Sequence, residues 1–227
     1  MTASTALAGA WRRVRPRPET AAVFVGLCVL EGAALAAYLA TTPVGVTAPR
    51  YLLYPFAWVN VAVLAVWRTE LAPGERRRRL LAAAAGVAYF LVLAWVGGVV
   101  APSHSAGGVT VYWQLPPGWG PLVVADLGPL RVAPTPYLVG GYVALAYLVA
   151  ATVVDATASP AGALAGALSC VSCALPVVAA VASSVTGGAV AVGGASAWSY
   201  DLSTAAFLLA VGLLVWRPDA AALARLR

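Results

Sequence analysis

Apolar residues fall into six long blocks separated by short polar or turn-rich breaks. The blocks run Thr20 to Thr41, Tyr51 to Trp67, Leu80 to Ala101, Tyr137 to Val154, Ala161 to Val185 and Ala197 to Trp216. A hydrocarbon core about 30 Å thick takes about 20 helical residues at 1.5 Å each, and every block comes close. None shows the strict apolar–polar alternation of a barrel strand, so each block predicts a helix. The expected fold is all-α: a bundle of six transmembrane helices over residues 20–216. The first block is interrupted only by Glu31, and the second carries Pro55 and Asn60. Neighbouring helices can satisfy backbone groups freed by such a proline.

The polar breaks set an orientation. With the N-terminus inside, the inner segments hold Arg12, Arg13, Arg15, Arg17, Arg68, Arg76, Arg77, Arg78, Arg79, Arg217, Arg225 and Arg227. The outer segments hold only Arg50 and Arg131, and twelve against two is a strong positive-inside bias. Residues 1–19 and 217–227 are then cytoplasmic tails, both termini being inside. Trp67 and Trp216 mark the inner boundary; Tyr38, Tyr51, Tyr137, Trp198 and Tyr200 mark the outer one. A cleaved signal peptide is an alternative for the first block, since Ala34-Leu35-Ala36 resembles a cleavage site. The block continues apolar beyond that point, which favours a span.

The longest extramembrane stretch, residues 102–136, lies outside between the third and fourth helices. Val109 to Leu115 reads as a strand, Pro116 to Pro121 as a turn, and Leu122–Ala125 and Leu130–Val132 as return strands. A small β-hairpin-like unit over the outer mouth is expected. Its Trp113 and Trp119 rest at the interface or cover the bundle. The unit is either an ordinary interfacial loop or a lid or docking surface for an extracytoplasmic partner.

Composition agrees with lipid as the solvent. Of 227 residues 62% are hydrophobic and 10% charged, and the mean hydropathy is +0.87. Soluble domains carry about 25% charged residues. The net charge of +6 comes from fourteen arginines beside the apolar blocks, so it faces anionic headgroups and not nucleic acid. The three cysteines all lie in apolar blocks, which is no secreted disulfide framework.

Candidate chemistry is sparse. No phosphate loop or nucleophile elbow occurs, which disfavours an enzyme. The single histidine, His104, has no neighbouring ligand and reads as a loop residue. The most specific feature is Ser169-Cys170-Val171-Ser172-Cys173-Ala174-Leu175-Pro176. Cys170 and Cys173 share a helix face, and Pro176 removes the donor to the Ser172 carbonyl. Gly162 and Gly166 form a GxxxG spacing that lets another helix approach. Cys28 and Cys170 both lie roughly 12–14 Å past the inner boundary, so the three thiols can share one depth with Glu31. Two sharp readings follow: a thiol–disulfide relay through Cys170 and Cys173, or a soft-metal site for Cu(I) or Zn(II) built from Cys28, Cys170 and Cys173. The plain reading makes the cysteines small membrane-compatible residues, with no cofactor, and Glu31 and Asn60 interhelical hydrogen-bonders.

Two resemblances arise at this segment. The aromatic loop Val111-Tyr112-Trp113-Gln114-Leu115-Pro116-Pro117-Gly118, a following helix ending in Asp, and the Ser-Cys-x-Ser-Cys helix together resemble small multi-pass membrane proteins of halophilic archaea without an assigned function. Locally, Cys173-Ala174-Leu175-Pro176 is similar to the Cys-x-Leu-Pro element of DsbD-like, cytochrome-c-biogenesis electron carriers. That resemblance implies Cys173 as one member of a redox pair. Cys28 lacks the proline context of a second member, and the internal repeat of that group is absent. Three functions remain open: a non-enzymatic membrane subunit or assembly factor partnered by lipid and other membrane subunits, a thiol-redox or copper-handling protein, and a small-solute permease.

Overall fold

The computed structural model describes residues 18–42, 49–71, 75–103, 107–156 and 195–215. These residues form helices α1 (Pro18–Thr41), α2 (Arg50–Arg68), α3 (Arg76–Val96), α4 (Pro136–Ala156) and α5 (Ala195–Val215). Four strands lie between α3 and α4: β1 (Val100–Pro102), β2 (Gly108–Tyr112), β3 (Leu122–Asp126) and β4 (Leu130–Val132). The chain divides into two compact units, Met1–Gly45 with α1 and Val46–Arg227 with everything else.

The helices follow the apolar blocks closely. Among the described residues, four are long and apolar enough to cross a membrane: α1 from Ala21, α2, α3, and α4 as far as Val154. α5 adds a shorter apolar stretch, Ser203–Val215. The fifth block, 161–185, lies outside the described residues. The third block is corrected at its end. α3 stops at Val96, where Gly97 and Gly98 terminate the helix, and Val100 to Pro102 enters a strand. Hydrophobicity continues across this break, so the block read as one span although its backbone changes conformation.

The all-α expectation is corrected as well. The chain is mostly helical with a small antiparallel sheet of four strands in the order β1-β4-β3-β2, larger than a hairpin. The sheet stands at the end of the bundle where α3 finishes and α4 begins.

In the second unit α4 is central and packs against α2, α3 and α5, while α2 also packs against α5. Contacts along the helices fix their directions. Arg50, Tyr54 and Trp58 of α2 meet, in order, Asp201 twice and then Thr204 of α5, so α2 and α5 run parallel. Trp58 touches Tyr137 near the start of α4, and the Tyr147 hydroxyl donates to the Thr69 carbonyl beyond the end of α2 at 2.8 Å, so α2 and α4 are also parallel. α3 runs the other way: a Cβ at Gly86 would meet the Ala146 carbonyl oxygen at 2.9 Å, whereas Gly97 abuts Tyr142. One end of the unit therefore carries the sheet and the N-termini of α2, α4 and α5. The other carries Arg68 and the arginines Arg76 to Arg79.

The core centres on Trp58, 2% exposed, whose ring stacks on Phe207 at 3.9 Å and 6°. Tyr137 and Tyr142 meet it edge-on. Gly141 makes the approach of α4 feasible, since a Cβ there would overlap the Trp58 ring. The outward faces stay apolar: Leu80, Leu81, Val87, Leu91 and Trp95 of α3 are all exposed. A belt of this kind fits lipid better than water.

Candidate functional site

Polar and aromatic side chains converge at the sheet end, where three helix N-termini and the turn before β3 meet. α2 begins with Arg50-Tyr51 and α5 carries Tyr200-Asp201 in its second turn. The Tyr54 hydroxyl donates to Asp201 Oδ1. Among the described residues the other carboxylate oxygen, Oδ2, is buried without a hydrogen bond, and the Arg50 Nε stands 3.8 Å from it. That gap is too long for a hydrogen bond but close enough for attraction. Arg50 also lies 5.2 Å over the Tyr51 ring and is itself exposed, so its ion pair contributes little.

Above this trio sits Trp119. Pro55 interrupts α2 and cannot donate to the carbonyl four residues earlier, that of Tyr51. The Trp119 Nε1 fills this vacancy, donating to the Tyr51 oxygen at 2.8 Å. Gly118 holds the turn against the Pro55 ring; its φ of +87° suits glycine, and a Cβ there would overlap Pro55. The Tyr137 N–H closes the seam by donating to the Gly118 carbonyl at 3.2 Å. Trp119 meets Tyr137 and Tyr200 edge-on at 4.8 and 5.4 Å, and Tyr200 meets Tyr51 at 5.7 Å. The result is a continuous aromatic cluster that joins α2, α4, α5 and the turn before β3.

A second polar cluster belongs to the sheet. Asp126 accepts from Ser103 Oγ and from Arg131 Nε, both at 2.8 Å. The hydrogen bond from Arg131 to Asp126, followed by their charge attraction, raises the Arg131 guanidinium above its ordinary range.

Two grooves flank α4. One, of about 490 Å³, is lined by Val59, Ala62, Val63, Val66, Gly140 and Val143 among others. The other, of about 370 Å³, includes Ala83, Gly86, Val87, Phe90, Val143 and Ala150. Their linings are apolar, which suits packing of a helix or an acyl chain more than chemistry.

With this geometry in place, comparison with known proteins gives one match. Residues 2–221 fit the model of a family of unknown function, DUF7546. The chain belongs to that family. No curated protein matches it, and no solved structure does.

Most of the residues behind the thiol readings fall outside the described part of the chain. Cys170, Cys173, Gly162 and Gly166 lie outside the described residues, and so does His104. Cys28 is an exposed residue of α1, and Glu31 on the same helix is half-buried. Among the described residues no group of three or more His, Cys, Asp or Glu could hold a metal ion. Asn60 donates from Nδ2 to the Phe56 carbonyl of its own helix at 2.9 Å.

The residues the sequence undervalued are Asp201, Tyr54, Tyr137 and Trp119. Asp201, a carboxylate near the start of the sixth apolar block, is half-buried and joined to α2. Tyr137, expected as a boundary marker, is 3% exposed beneath Trp119. The available signal was Pro55, which implies a free Tyr51 carbonyl in need of a donor. Of the two loop tryptophans, Trp119 covers the bundle and Trp113 is 74% exposed.

Proposed function

We propose that the chain is a six-span integral membrane protein with both termini cytoplasmic, and that it serves as a non-enzymatic membrane subunit or assembly factor. The observation that carries the topology is the parallel course of α4 and α5. α4 ends at the arginine-bearing end of the bundle, and α5 begins at the sheet end. The end of α4 and the start of α5 therefore stand at opposite ends of the unit, separated by the height of α4, about 31 Å for its 21 residues. A stretch of about 38 residues suffices for one helical crossing with turns at both ends. The apolar block 161–185 is long enough in sequence for that crossing. Counting α1, the spans number six, and an even number returns the chain to its starting side. Arg68 and Arg76 to Arg79 at one end, against Arg50 and Arg131 at the other, favour a cytoplasmic arginine end and an outer sheet.

The use of polar groups supports a scaffold over a catalyst or a permease. The bonds Trp58 to Thr204, Tyr54 to Asp201, Tyr147 to Thr69 and Trp119 to Tyr51 each join separate elements of the fold. A solute pathway needs polar groups directed into a cavity. Here they staple elements together, and aromatic rings pack between α2, α4, α5 and the turn before β3.

The direct test is the size of the particle extracted from its own membranes with a mild detergent. Blue-native electrophoresis followed by peptide mass spectrometry should find the chain in a complex with a second polypeptide at fixed stoichiometry. Migration as a bare monomer under every mild condition, together with solute uptake into vesicles reconstituted from the pure chain, contradicts the subunit role.

A further inference from the structure

The two grooves beside α4 belong to one face. Val143, 53% exposed, lines both. On one side of it the wall is α2, through Val59, Val63 and Val66. On the other the wall is α3, through Ala83, Val87 and Phe90. Gly140 keeps the first groove wide, since a Cβ there meets nothing within 4 Å. Val143 thus forms a ridge between two apolar channels that lie side by side.

Both channels run toward the arginine end of the unit. The first follows α2 from Val59 to Trp67, which is 49% exposed and precedes Arg68. The second follows α3 from Phe90 to Ala83. Positions three and four apart share a helix face. The stripe Phe90, Val87, Ala83 continues in steps of four and three to Arg79 and Arg76, both exposed. Residues 68–79 hold five arginines against Glu70 and Glu75, so this end is positive. Along α3, Phe90 stands about 17 Å from Arg79. One leaflet of hydrocarbon is about 15 Å deep.

We propose that this face holds one anionic phospholipid of the inner leaflet, of the phosphatidylglycerol kind, with one acyl chain in each channel astride Val143 and the phosphate on Arg76 and Arg79. The proposal rests on the membrane-spanning reading above. Two chains joined at one end match two channels that share a ridge and lead to one charged end. A guanidinium grips a phosphate through two parallel N–H bonds. A basic pocket between spanning helices on the cytoplasmic side favours anionic headgroups. A zwitterionic lipid sets its own ammonium group against the arginines. An apolar helix answers the channels but not the charge; the block 161–185, for one, contains no acidic residue.

The test uses the full chain reconstituted in phosphatidylcholine vesicles with a low, fixed mole fraction of phosphatidylglycerol. Bromine is placed on the acyl chains of the phosphatidylglycerol, or on an equal amount of the phosphatidylcholine. The emission of Trp67 is the difference between the native protein and W67F. Trp95, 54% exposed near the far end of α3, is read in the same way through W95F and reports insertion. The expected result is that brominated phosphatidylglycerol quenches Trp67 about fivefold more than brominated phosphatidylcholine does. Trp95 should be quenched equally by both, and R76Q/R79Q should abolish the preference at Trp67. Equal quenching of Trp67 by the two lipids, with Trp95 quenched, overturns the proposal and leaves the spanning reading intact. Quenching of Trp95 but not of Trp67 also overturns it, the channels then being covered by protein, either the block 161–185 or a second copy. Quenching of neither tryptophan overturns the spanning reading itself. A preference that survives in R76Q/R79Q overturns the headgroup site. If a variant does not insert, native mass spectrometry of the unaltered chain, extracted from an equimolar mixture of the two lipids, decides. One retained phosphatidylglycerol per chain supports the proposal; equal retention of both lipids, or of neither, overturns it.

Discussion

The indole nitrogen of Trp119 donates to the main-chain carbonyl of Tyr51 at 2.8 Å, the carbonyl that Pro55 leaves without a helical donor. The proline defect of α2 and the outer turn are thus two halves of one joint. Gly118 seats the turn on the proline, and Trp119 completes its hydrogen bonding. In lipid there is little hydrophobic drive between helices, so packing and polar contacts of this kind carry the assembly.

Trp119→Phe keeps a ring over Tyr137 but removes the donor to the Tyr51 oxygen. A loss of about 1–3 kcal/mol is expected. Trp119→Ala removes the ring too and should cost about 3–5 kcal/mol. Trp113→Ala, at the exposed site, should change the helical bundle's stability by less than about 0.5 kcal/mol. Unfolding in mixed micelles, followed by circular dichroism, ranks the three.

Gly141→Ala places a methyl group against the Trp58 ring and presses α4 away from α2. Overpacking of this kind costs about 1–3 kcal/mol. The stacked Trp58–Phe207 pair should lose its near-ultraviolet dichroism before far-ultraviolet helicity falls. Gly140→Ala, where a Cβ meets open space, serves as the matched control.

Tyr54→Phe removes the donor to Asp201 and should destabilise the α2–α5 contact by about 0.5–1.5 kcal/mol. In an Asp201→Ala background the same change should have a smaller effect. A double-mutant cycle measures the difference, and strict additivity argues against the contact.

The Asp126–Arg131 pair should persist at alkaline pH. Arg131 is raised above its usual value, first by the hydrogen bond to Asp126 and then by charge. A raised cationic group contributes fully below its unfolded pKa and loses that contribution only as pH climbs through the folded one, far above working conditions. Hydrogen exchange of β3 and β4, corrected for its intrinsic pH dependence, should show constant protection between pH 6 and 10. Asp126→Asn should speed that exchange.

Four helices long and apolar enough to span were legible because length and hydropathy answer directly to bilayer thickness. Leu122–Ala125 and Leu130–Val132 were legible as strands from β-branched content and turn residues, and so was Val109 to Leu115, although β2 ends at Tyr112. β1 was not, because Val99 to Ala101 continue the hydrophobicity of α3 past its Gly97-Gly98 stop. The Tyr54–Asp201 bond was hidden for another reason. Its partners stand 147 residues apart, and no local pattern in a single chain joins them. Pro55 signalled a vacant carbonyl, but only the fold shows that Trp119 fills it.

The parallel course of α4 and α5 is tested most directly by sided labelling. In a background lacking the native thiols, Ala156→Cys marks the end of α4 and Ser199→Cys the beginning of α5. In sealed, right-side-out vesicles a membrane-impermeant maleimide should modify position 199 at once and position 156 only after permeabilisation. Equal labelling of both from the same side contradicts the crossing between them, and with it the six-span architecture.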